Sequence, residues 1–366
     1  MRTALALAAS LIALGGAAQA RDFRILYATG PGQPAAAQPD GTGQILVPLR
    51  SGGANKRGAI VRLDGRHKTT TLYEFGADGP GYPSSPLLQD ENGVLYGIAS
   101  AGSNTHPGTL VYKLDHGQET TLHFFDDGGG GWNTPLLVRD AQGNLYGTSS
   151  AGGQHGMGYV FKIAADGTTS VLHDFRGLDG RWPNGGVVLG ADGSLTGTAF
   201  MGGIYDTGTI WRIAADGTFK TLHAFKIAEG CQIWGGLTPD GKGDYYGVAN
   251  YCGAAYSGTV FKFNGASGKV SLVHAFDGRN QGPERPFGML LRDAKTGALF
   301  GLTEAGGAES SGTVFKLSPK GKLTALHAFS YDGDDGKDPG AALSMDAEGN
   351  LYGTTYTRGV VFEIKR

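Results

Sequence analysis

Apolar and polar residues alternate over short segments along most of the chain, and small turn-forming residues separate these segments. The stretch 135–175 shows the pattern. Four apolar-rich runs, at 135–140, 144–149, 159–163 and 169–175, are separated by Ala141-Gln142-Gly143, a glycine-rich loop and Asp166-Gly167. Alternation with period two, β-branched and aromatic residues, and Asp-Gly turns are typical of β-hairpins. This stretch therefore predicts four short antiparallel strands, and no helical period competes with them.

The four-strand pattern repeats along the chain at intervals of about 50 residues, the range of propeller repeats. One phrase, Leu145-Tyr146-Gly147 in the third copy, marks each repeat. It recurs with substitutions at Leu95, Leu195, Tyr245, Leu299 and Leu351, and a degenerate copy begins at Leu46. Radial repetition of four-stranded sheets leaves few strand edges open, whereas a β-helix has shorter rungs and a sandwich does not repeat its sequence. The sequence predicts an all-β fold, a seven-bladed β-propeller of four-stranded blades.

The two ends of the chain support the count of seven. The last copy contains three strand signals, at 340–346, 350–355 and 359–364, and lacks the fourth. The segment Phe23-Arg24-Ile25-Leu26-Tyr27-Ala28 resembles the fourth strand of the first copy, around Leu72-Tyr73-Glu74-Phe75. We expect the N-terminal strand to complete the last blade, so that residues 21–366 form one propeller domain.

Residues 1–20 have the features of a secretory signal peptide: Arg2, an apolar run at 4–14 and the cleavage pattern Ala18-Gln19-Ala20. We expect cleavage after Ala20 and a secreted or periplasmic protein. No other apolar run is long enough to span a membrane.

The overall charge of the chain bears on its partners. The net charge of -2 and the pI near 6.5 give no electrostatic reason to expect that the protein binds nucleic acid. We expect the protein to be a monomer.

Glycine is unusually common, with 65 residues among 366, and much of it falls in recurring phrases. These phrases are Asp166-Gly167, Leu172-His173-x-Phe175, Asp179-Gly180-x-x-Pro183-x-Gly185-Gly186, Asp192-Gly193, Gly197-Thr198, Gly202-Gly203 and Gly208-Thr209. They resemble the Gloeo_Verruco ("GloVer") repeat, and the resemblance covers nearly all of the chain after the signal segment. It implies an exported bacterial repeat protein. It implies no activity, because that family is defined by its repeat.

Five histidines occupy one repeat position on the predicted outer strands, where the other two blades have Tyr27 and Tyr73. These histidines are His123, His173, His223, His274 and His327. Because each lies in a different blade, they cannot converge on one metal ion, and we expect each to form a hydrogen bond within its blade. The Gly-Thr pairs, such as Gly208-Thr209, are expected to begin strands and not to bind phosphate.

Candidate binding residues are aromatic side chains at one end of the ring. They precede the Leu-Tyr-Gly phrase by 11 to 13 residues and are Tyr82, Trp132, Trp182, Trp234 and Phe287. His155 and Tyr205 lie on loops expected at the same end. Two interpretations are open: the aromatic residues cap the packing between blades, or they line a mouth for a glycan, another small molecule or a protein.

The two cysteines flank one predicted hairpin. Cys231 precedes the first strand of blade 5, Cys252 follows the second, and the midpoint between them falls in the turn 239–244. A symmetric hairpin places them opposite each other, within disulfide distance. Export to an oxidising compartment favours the bond, so we predict a Cys231–Cys252 disulfide.

No motif for catalysis or for a cofactor is present, and we predict no cofactor and no metal. The acidic group Asp332, Asp334, Asp335 and Asp338 lacks EF-hand spacing and is expected to be a solvated turn, with calcium binding as the alternative. Three functions remain open. The chain binds a ligand or partner at the loop end, or it is a glycosidase or lyase with acidic residues in the central mouth, or it is a structural module at the cell surface.

Overall fold

The computed structural model of the protein describes residues 23–30, 33–66, 68–76, 81–103, 106–126, 136–340 and 342–366. These residues form β-strands and one turn of 3-10 helix, Arg279–Gln281. The strands are β1 (Phe23–Ala28), β2 (Gln38–Pro39), β3 (Ile45–Leu49), β4 (Ala59–Leu63), β5 (Thr69–Glu74), β6 (Gly81–Pro83), β7 (Leu88–Gln89), β8 (Leu95–Ser103), β9 (His106–Asp115), β10 (Gln118–Phe125), β11 (Val138–Arg139), β12 (Leu145–Ser149), β13 (Tyr159–Ile163), β14 (Thr169–Asp174), β15 (Val187–Leu189), β16 (Leu195–Ala199), β17 (Thr209–Ile213), β18 (Phe219–Ala224), β19 (Thr238–Pro239), β20 (Asp244–Ala249), β21 (Thr259–Asn264), β22 (Val270–Ala275), β23 (Glu284–Arg292), β24 (Leu299–Ala305), β25 (Thr313–Leu317), β26 (Leu323–Ala328), β27 (Ser344–Met345), β28 (Leu351–Thr355) and β29 (Val360–Ile364).

The strands form seven antiparallel sheets, one for each repeat, as the sequence predicts. Blades 1 and 3 to 6 each contain four strands that are consecutive in the chain, beginning at β2, β11, β15, β19 and β23. In blade 2 the inner edge is divided between β6 and β7, both of which pair with β8. The fold is therefore a seven-bladed β-propeller.

The seventh blade is completed by the N-terminal strand, as predicted. Its order is β27-β28-β29-β1, and β1 pairs antiparallel with β29 from Phe23 opposite Ile364 to Ala28 opposite Val360. The first and last strands of the chain thereby close the ring with backbone hydrogen bonds.

In the first blade the register differs by one residue from the predicted alignment. The strand pairs place Ile45 opposite Leu63 and Val47 opposite Val61, which correspond to Leu95 opposite Leu114 and Gly97 opposite Tyr112 in blade 2. The degenerate phrase thus begins at Ile45 and not at Leu46. Valine stands where the repeat has glycine, and this substitution obscured the alignment.

The core lies between neighbouring blades. Every residue of the second strands β16 and β28 is buried, whereas the outer strand β14 has exposed and half-buried residues. Second and third strands have a blade on each face, but outer strands contact solvent along one edge. For example, Ile210 of blade 4 packs in one cluster with Phe261 of blade 5.

The centre of the ring is almost closed. Gly236 and Gly185, from adjacent blades, approach so closely that a Cβ on Gly236 would overlap the carbonyl oxygen of Gly185. A cavity of about 20 Å³ remains on the axis, with room for about one water molecule. All seven blades line it, through residues that include Ala35, Pro86, Leu136, Asn184, Trp234, Met289 and Ala342. The axis is therefore not an open channel at this depth.

Two predicted features lie outside the described residues: the signal segment 1–20 and Trp132. Within the part of the chain that the structure describes, no helix has the length and apolar character needed to cross a membrane.

Candidate functional site

One repeat position lies where each blade meets the one before it, at the end of the ring that carries the predicted aromatic residues. We call it the junction position; among the described residues it holds Gln33, Tyr82, Trp182, Gln232, Arg285 and Asp338. Five of these, all except Gln33, have left-handed backbone with φ of 57° or 58°. The N–H groups of Tyr82, Trp182, Gln232 and Arg285 each donate to a loop carbonyl of the preceding blade, at 2.6–3.0 Å. The backbone thus fixes this position whatever the side chain.

A second position lies beside it. We call it the strand-end position, the fifth residue after the one that opens each Leu-Tyr-Gly phrase: Arg50, Ser100, Ser150, Phe200, Asn250, Glu304 and Tyr356. In blades 1, 4, 5 and 7 its N–H donates to the junction carbonyl of the same blade, for example Arg50 to Gln33 at 2.7 Å and Tyr356 to Asp338 at 2.9 Å. These paired positions carry a different pair of side chains in each blade on a common backbone frame.

A cavity of about 1100 Å³ opens at this end of the ring, over blades 5, 6, 7 and 1. We call it the mouth. Half of its lining residues come from the two paired positions. The lining consists of Gly30, Gln33, Arg50, Trp234, Arg285, Phe287, Glu304, Asp338, Pro339, Tyr356, Thr357 and Arg358. Trp234 also lines the small axial cavity, so the mouth lies above the closed centre of the ring.

On the blade 6 side of the mouth, Arg285 is held in a fixed position. Its Nη2 donates to Glu304 Oε2 at 2.8 Å, and its guanidinium lies over the ring of Tyr251 at 4.6 Å from the centroid. The two side chains are about one-third exposed. An ion pair combined with stacking orients the guanidinium before any ligand arrives.

Aromatic rings run continuously from blade 4 into the mouth. Phe200 lies between Trp182, at 6.4 Å, and Trp234, which it meets edge-on at 4.8 Å. Trp234 then packs against Phe287 at 5.4 Å. Trp234 and Phe287 are half-buried, so the mouth has an aromatic wall that still meets solvent.

Hydrogen-bond donors dominate the opposite side of the mouth, in blades 7 and 1. Burial raises the pKa of Tyr356, and the nearby Arg50 guanidinium opposes that rise. The Tyr356 phenol is therefore protonated at neutral pH and can donate a hydrogen bond. Arg358 pairs with Asp334 at 3.2 Å, and Asp338 accepts a hydrogen bond from the Thr357 hydroxyl at 2.7 Å.

The structure brings two of the predicted aromatic residues, Trp234 and Phe287, together in the mouth. Tyr82 and Trp182 lie at blade junctions, each more than one-third exposed, outside the mouth lining. His155 and Tyr205 are exposed on the loops between second and third strands of blades 3 and 4, also away from the lining. Their part in binding remains a prediction.

Sequence reasoning missed four charged members of the mouth, Arg50, Arg285, Glu304 and Arg358, and treated Asp338 only as part of an acidic turn. These residues are not shared by several blades, so the repeat pattern does not single them out. The informative signal was the reverse, a charged residue in one blade at a position that is uncharged in most others. When blade 1 is aligned by its strand pairs, Arg50 is also a charged residue at a position that is uncharged in most other blades.

Three of the five outer-strand histidines pair with carboxylates. His173 pairs with Asp179 at 2.8 Å, His223 with Glu229 at 3.0 Å and His327 with Asp335 at 2.7 Å. The partner lies in each case in the connection that leads to the next blade, so the prediction of a bond within the blade was wrong for these three histidines. No three His, Cys, Asp or Glu side chains form a group able to hold a metal ion within the described ranges.

Asp332, Asp334, Asp335 and Asp338 do not act as one group. The carboxylate of Asp335 accepts from His327, that of Asp334 from Arg358 and that of Asp338 from Thr357, while Asp332 offers its backbone carbonyl to Arg358. These contacts tie the connection between blades 6 and 7 to its neighbours.

Cys231 and Cys252 form a disulfide, as predicted, with Cα atoms 5.3 Å apart. The register differs slightly from the symmetric hairpin. Cys231 and Tyr251 exchange backbone hydrogen bonds, and Cys252 follows with a left-handed φ of 63°. The bond joins the start of blade 5 to the loop after its second strand, beside the junction position at Gln232. A disulfide is consistent with an extracellular location.

Solved structures with the same architecture differ widely in what they do. An oligogalacturonate lyase in complex with manganese aligns with a TM-score of 0.62 and 12% identity, over 96% of this chain and 94% of that one. The extracellular domain of the putative hybrid two-component system BT3049 from B. thetaiotaomicron aligns at 0.60 and 12%, over 94% and 41%. The β-propeller domain of the Trilobed protease from Pyrococcus furiosus aligns at 0.54 and 9%, over 92% and 94%. The chain thus spans about two-fifths of the BT3049 chain, and these similarities show the fold alone.

Comparison by sequence is more specific. No curated protein matches the chain. The family described as the Gloeobacter/Verrucomicrobia repeat matches residues 22–189 and 89–286, which together cover well over half of the chain. This protein therefore belongs to the Gloeobacter/Verrucomicrobia repeat family.

Proposed function

We propose that the chain is an exported propeller that binds a saccharide in the mouth. One observation carries the proposal. The side chains that line the mouth differ from those at the same repeat positions of the other blades, although the same backbone hydrogen bonds form there. A frame that needs no charged or aromatic residue to fold is free to present them to a ligand.

The lining suits a sugar. Trp234 and Phe287 offer half-buried ring faces, against which the apolar face of a pyranose packs. Polar groups that can exchange hydrogen bonds with hydroxyls surround them, among them Glu304, Gln33 and Tyr356. A cavity of about 1100 Å³ exceeds the usual volume of a small-ligand pocket and accommodates several sugar units.

Intrinsic fluorescence tests the proposal, because Trp234 lies in the mouth. Glycans that the purified protein binds on a glycan array are titrated into the wild type while tryptophan emission is followed. Binding to the variants is measured by calorimetry, because Trp234→Ala removes the fluorescent reporter. We expect Trp234→Ala to weaken binding at least fivefold, since aromatic contacts of this kind contribute about 1–3 kcal/mol. The matched control is Tyr256→Ala. It truncates an aromatic side chain that is 69% exposed, in the loop between β20 and β21, and that does not line the mouth. Equal affinity in the two variants, or no glycan bound, would contradict the proposal.

An enzyme that acts on saccharides is the second candidate, because two carboxylates, Glu304 and Asp338, line the mouth. Glu304 is neutralised by Arg285, which favours an orienting role for it. Incubation with each bound glycan and analysis for new chain ends decides the matter. Cleavage that is lost in Asp338→Asn would replace the binding function by a catalytic one.

A further inference from the structure

The charged side chains of the mouth are confined to one side of the ring. At the junction and strand-end positions, every charged residue among those described lies in blades 6, 7 and 1: Arg285, Glu304, Asp338 and Arg50. Blades 2 to 5 hold tyrosine, tryptophan, phenylalanine, serine, glutamine or asparagine there. The same backbone hydrogen bonds form in both halves, so the fold itself does not demand the charges.

These charges are not distributed evenly across the mouth. The blade 6 side contains the Arg285–Glu304 ion pair, whose charges cancel. The blade 7 and blade 1 side contains two guanidiniums, Arg50 and Arg358, together with the Tyr356 phenol. Among the described lining residues of this side, the two guanidiniums stand against one carboxylate, Asp338. Asp334, the partner of Arg358, lies outside the lining and is 94% exposed, so water screens its charge.

A guanidinium binds carboxylate or sulfate through two parallel hydrogen bonds, and a neutral sugar hydroxyl offers no such group. Trp234 and Phe287 lie on the opposite wall, where a sugar ring can stack. An anionic sugar unit satisfies both features together: its ring on the aromatic wall and its acidic group on the donor side.

We infer that the mouth selects an anionic saccharide, whose carboxylate or sulfate is bound by Arg50, Tyr356 and Arg358. The inference rests on the proposed function and names its ligand class. Arg50 supplies the central charge, since it lies beside Tyr356. Its backbone N–H is tied to Gln33, a bond that survives replacement of the side chain.

The test compares ligands that differ only in charge. Oligosaccharides of a uronic acid, the same oligosaccharides with their carboxyl groups reduced to alcohols, and sulfated oligosaccharides are titrated by calorimetry against the purified mature protein. We expect the acidic or the sulfated form to bind about tenfold or more tightly than the reduced form. This preference should decrease as salt concentration rises. Whichever anion binds more tightly identifies the acidic group.

Two variants locate the preference. Arg50→Gln should bring the acidic and reduced forms to similar affinity, and Arg50→Lys should retain part of the preference. Arg212→Gln, which removes an arginine paired with Asp192 far from the mouth, is the control and should behave as wild type. Thermal unfolding of each variant confirms that it folds.

The possible failures are distinguishable. Equal affinity for acidic and reduced forms in the wild-type protein, with both lost in Trp234→Ala, overturns the anionic class and keeps the saccharide site. A preference unchanged in Arg50→Gln and in Arg358→Gln also overturns the inference, because the charge then acts from elsewhere. No binding of any of the three ligands overturns both the inference and the proposed function.

Discussion

Val47 and Val61 lie opposite each other in blade 1, at the register position where each other blade has a glycine opposite an aromatic ring. The corresponding pairs are Gly97–Tyr112, Gly147–Phe161, Gly197–Trp211, Gly247–Phe261, Gly301–Phe315 and Gly353–Phe362. A Cβ on Gly147 would lie 2.5 Å from Cζ of Phe161, closer than packing allows. The ring thus occupies the space above the glycine, and two valines fill the same space in blade 1.

The first prediction follows from this replacement of a glycine–aromatic pair by two valines. Gly247→Ala should lower the free energy of unfolding by about 1–3 kcal/mol, because the new methyl group overlaps the buried Phe261 ring. The double variant Gly247→Val/Phe261→Val recreates the blade 1 pair and should be less destabilised than the sum of its single variants. Chemical denaturation measures each change. Gly65→Ala, in an exposed turn with open space around the added carbon, is the control and should change stability by less than about 0.5 kcal/mol. Additive effects in the double variant would contradict this account.

The second prediction concerns the disulfide. Its cysteines are separated by 21 residues, and loss of a cross-link of that span costs about 3 kcal/mol. Cys231→Ser/Cys252→Ser should therefore unfold at a lower temperature than the wild-type protein. A reducing agent should lower the unfolding temperature of the wild type to that of the variant, and it should not change the unfolding temperature of the variant. A wild-type protein that is indifferent to reductant would show that the bond adds no stability.

The third prediction concerns pH. In the turns between first and second strands, Asp140 accepts from the Asn144 amide at 2.7 Å and from the Tyr146 hydroxyl at 2.9 Å, and Asp346 is bound in the same way by Asn350 and Tyr352. Burial of each carboxylate works against ionisation, but these hydrogen bonds outweigh it and lower the pKa of both. A carboxylate with a lower pKa in the folded state contributes stability above its unfolded pKa of about 3.9, and that stability is lost as pH falls towards the folded value.

Melting temperature should therefore be nearly constant from about pH 7 to 5 and fall below about pH 4. In Asp140→Asn/Asp346→Asn it should be lower at pH 7, with a shallower fall in acid. Melting curves recorded across this range provide the measurement. Parallel pH profiles for the wild type and the double variant would refute the role given to these turns. Glu348→Gln is a suitable comparison, since Glu348 is an exposed carboxylate in the same turn as Asp346.

The architecture could be predicted from the sequence because each blade repeats the same requirements. The Leu-Tyr-Gly phrase, the hairpin turns and the missing fourth strand of the last repeat together specify seven blades and their closure. Blade 1 was misaligned by one residue because Val47 replaces the marker glycine, and only the strand pairing with Val61 restores the register.

The mouth could be predicted only in part. Trp182 and Trp234 both read as aromatic residues at the same end of the ring. They lie two positions apart in the repeat, however, and that step moves the side chain from the blade junction to the axis. Which residues meet across the mouth depends on the order of blades around the ring. Arg50 and Tyr356 are neighbours only because the chain closes on itself.

That closure supplies the last prediction. Phe23, at the start of β1, stacks on His327 of blade 6, with centroids 3.7 Å apart and an angle of 6° between the rings. Phe219 stacks on His173 in the same way at 3.4 Å, although there the two blades are joined by continuous chain. Phe23→Ala should lower the free energy of unfolding by about 2 kcal/mol, less than a fully buried phenylalanine, because Phe23 is only half-buried.

The effect on local opening should distinguish the two phenylalanines. The β1 strand is held to β29 without a connecting loop, so weaker stacking at Phe23 should let it detach before the remaining blades unfold. Hydrogen exchange of the amides in Phe23–Ala28 should therefore accelerate in Phe23→Ala more than the global loss of stability explains. In Phe219→Ala, exchange in Phe219–Ala224 should follow the global change, since blade 4 cannot release that strand alone. Equal acceleration in both strands would show that the N-terminal strand is no weaker a closure than the links between the other blades.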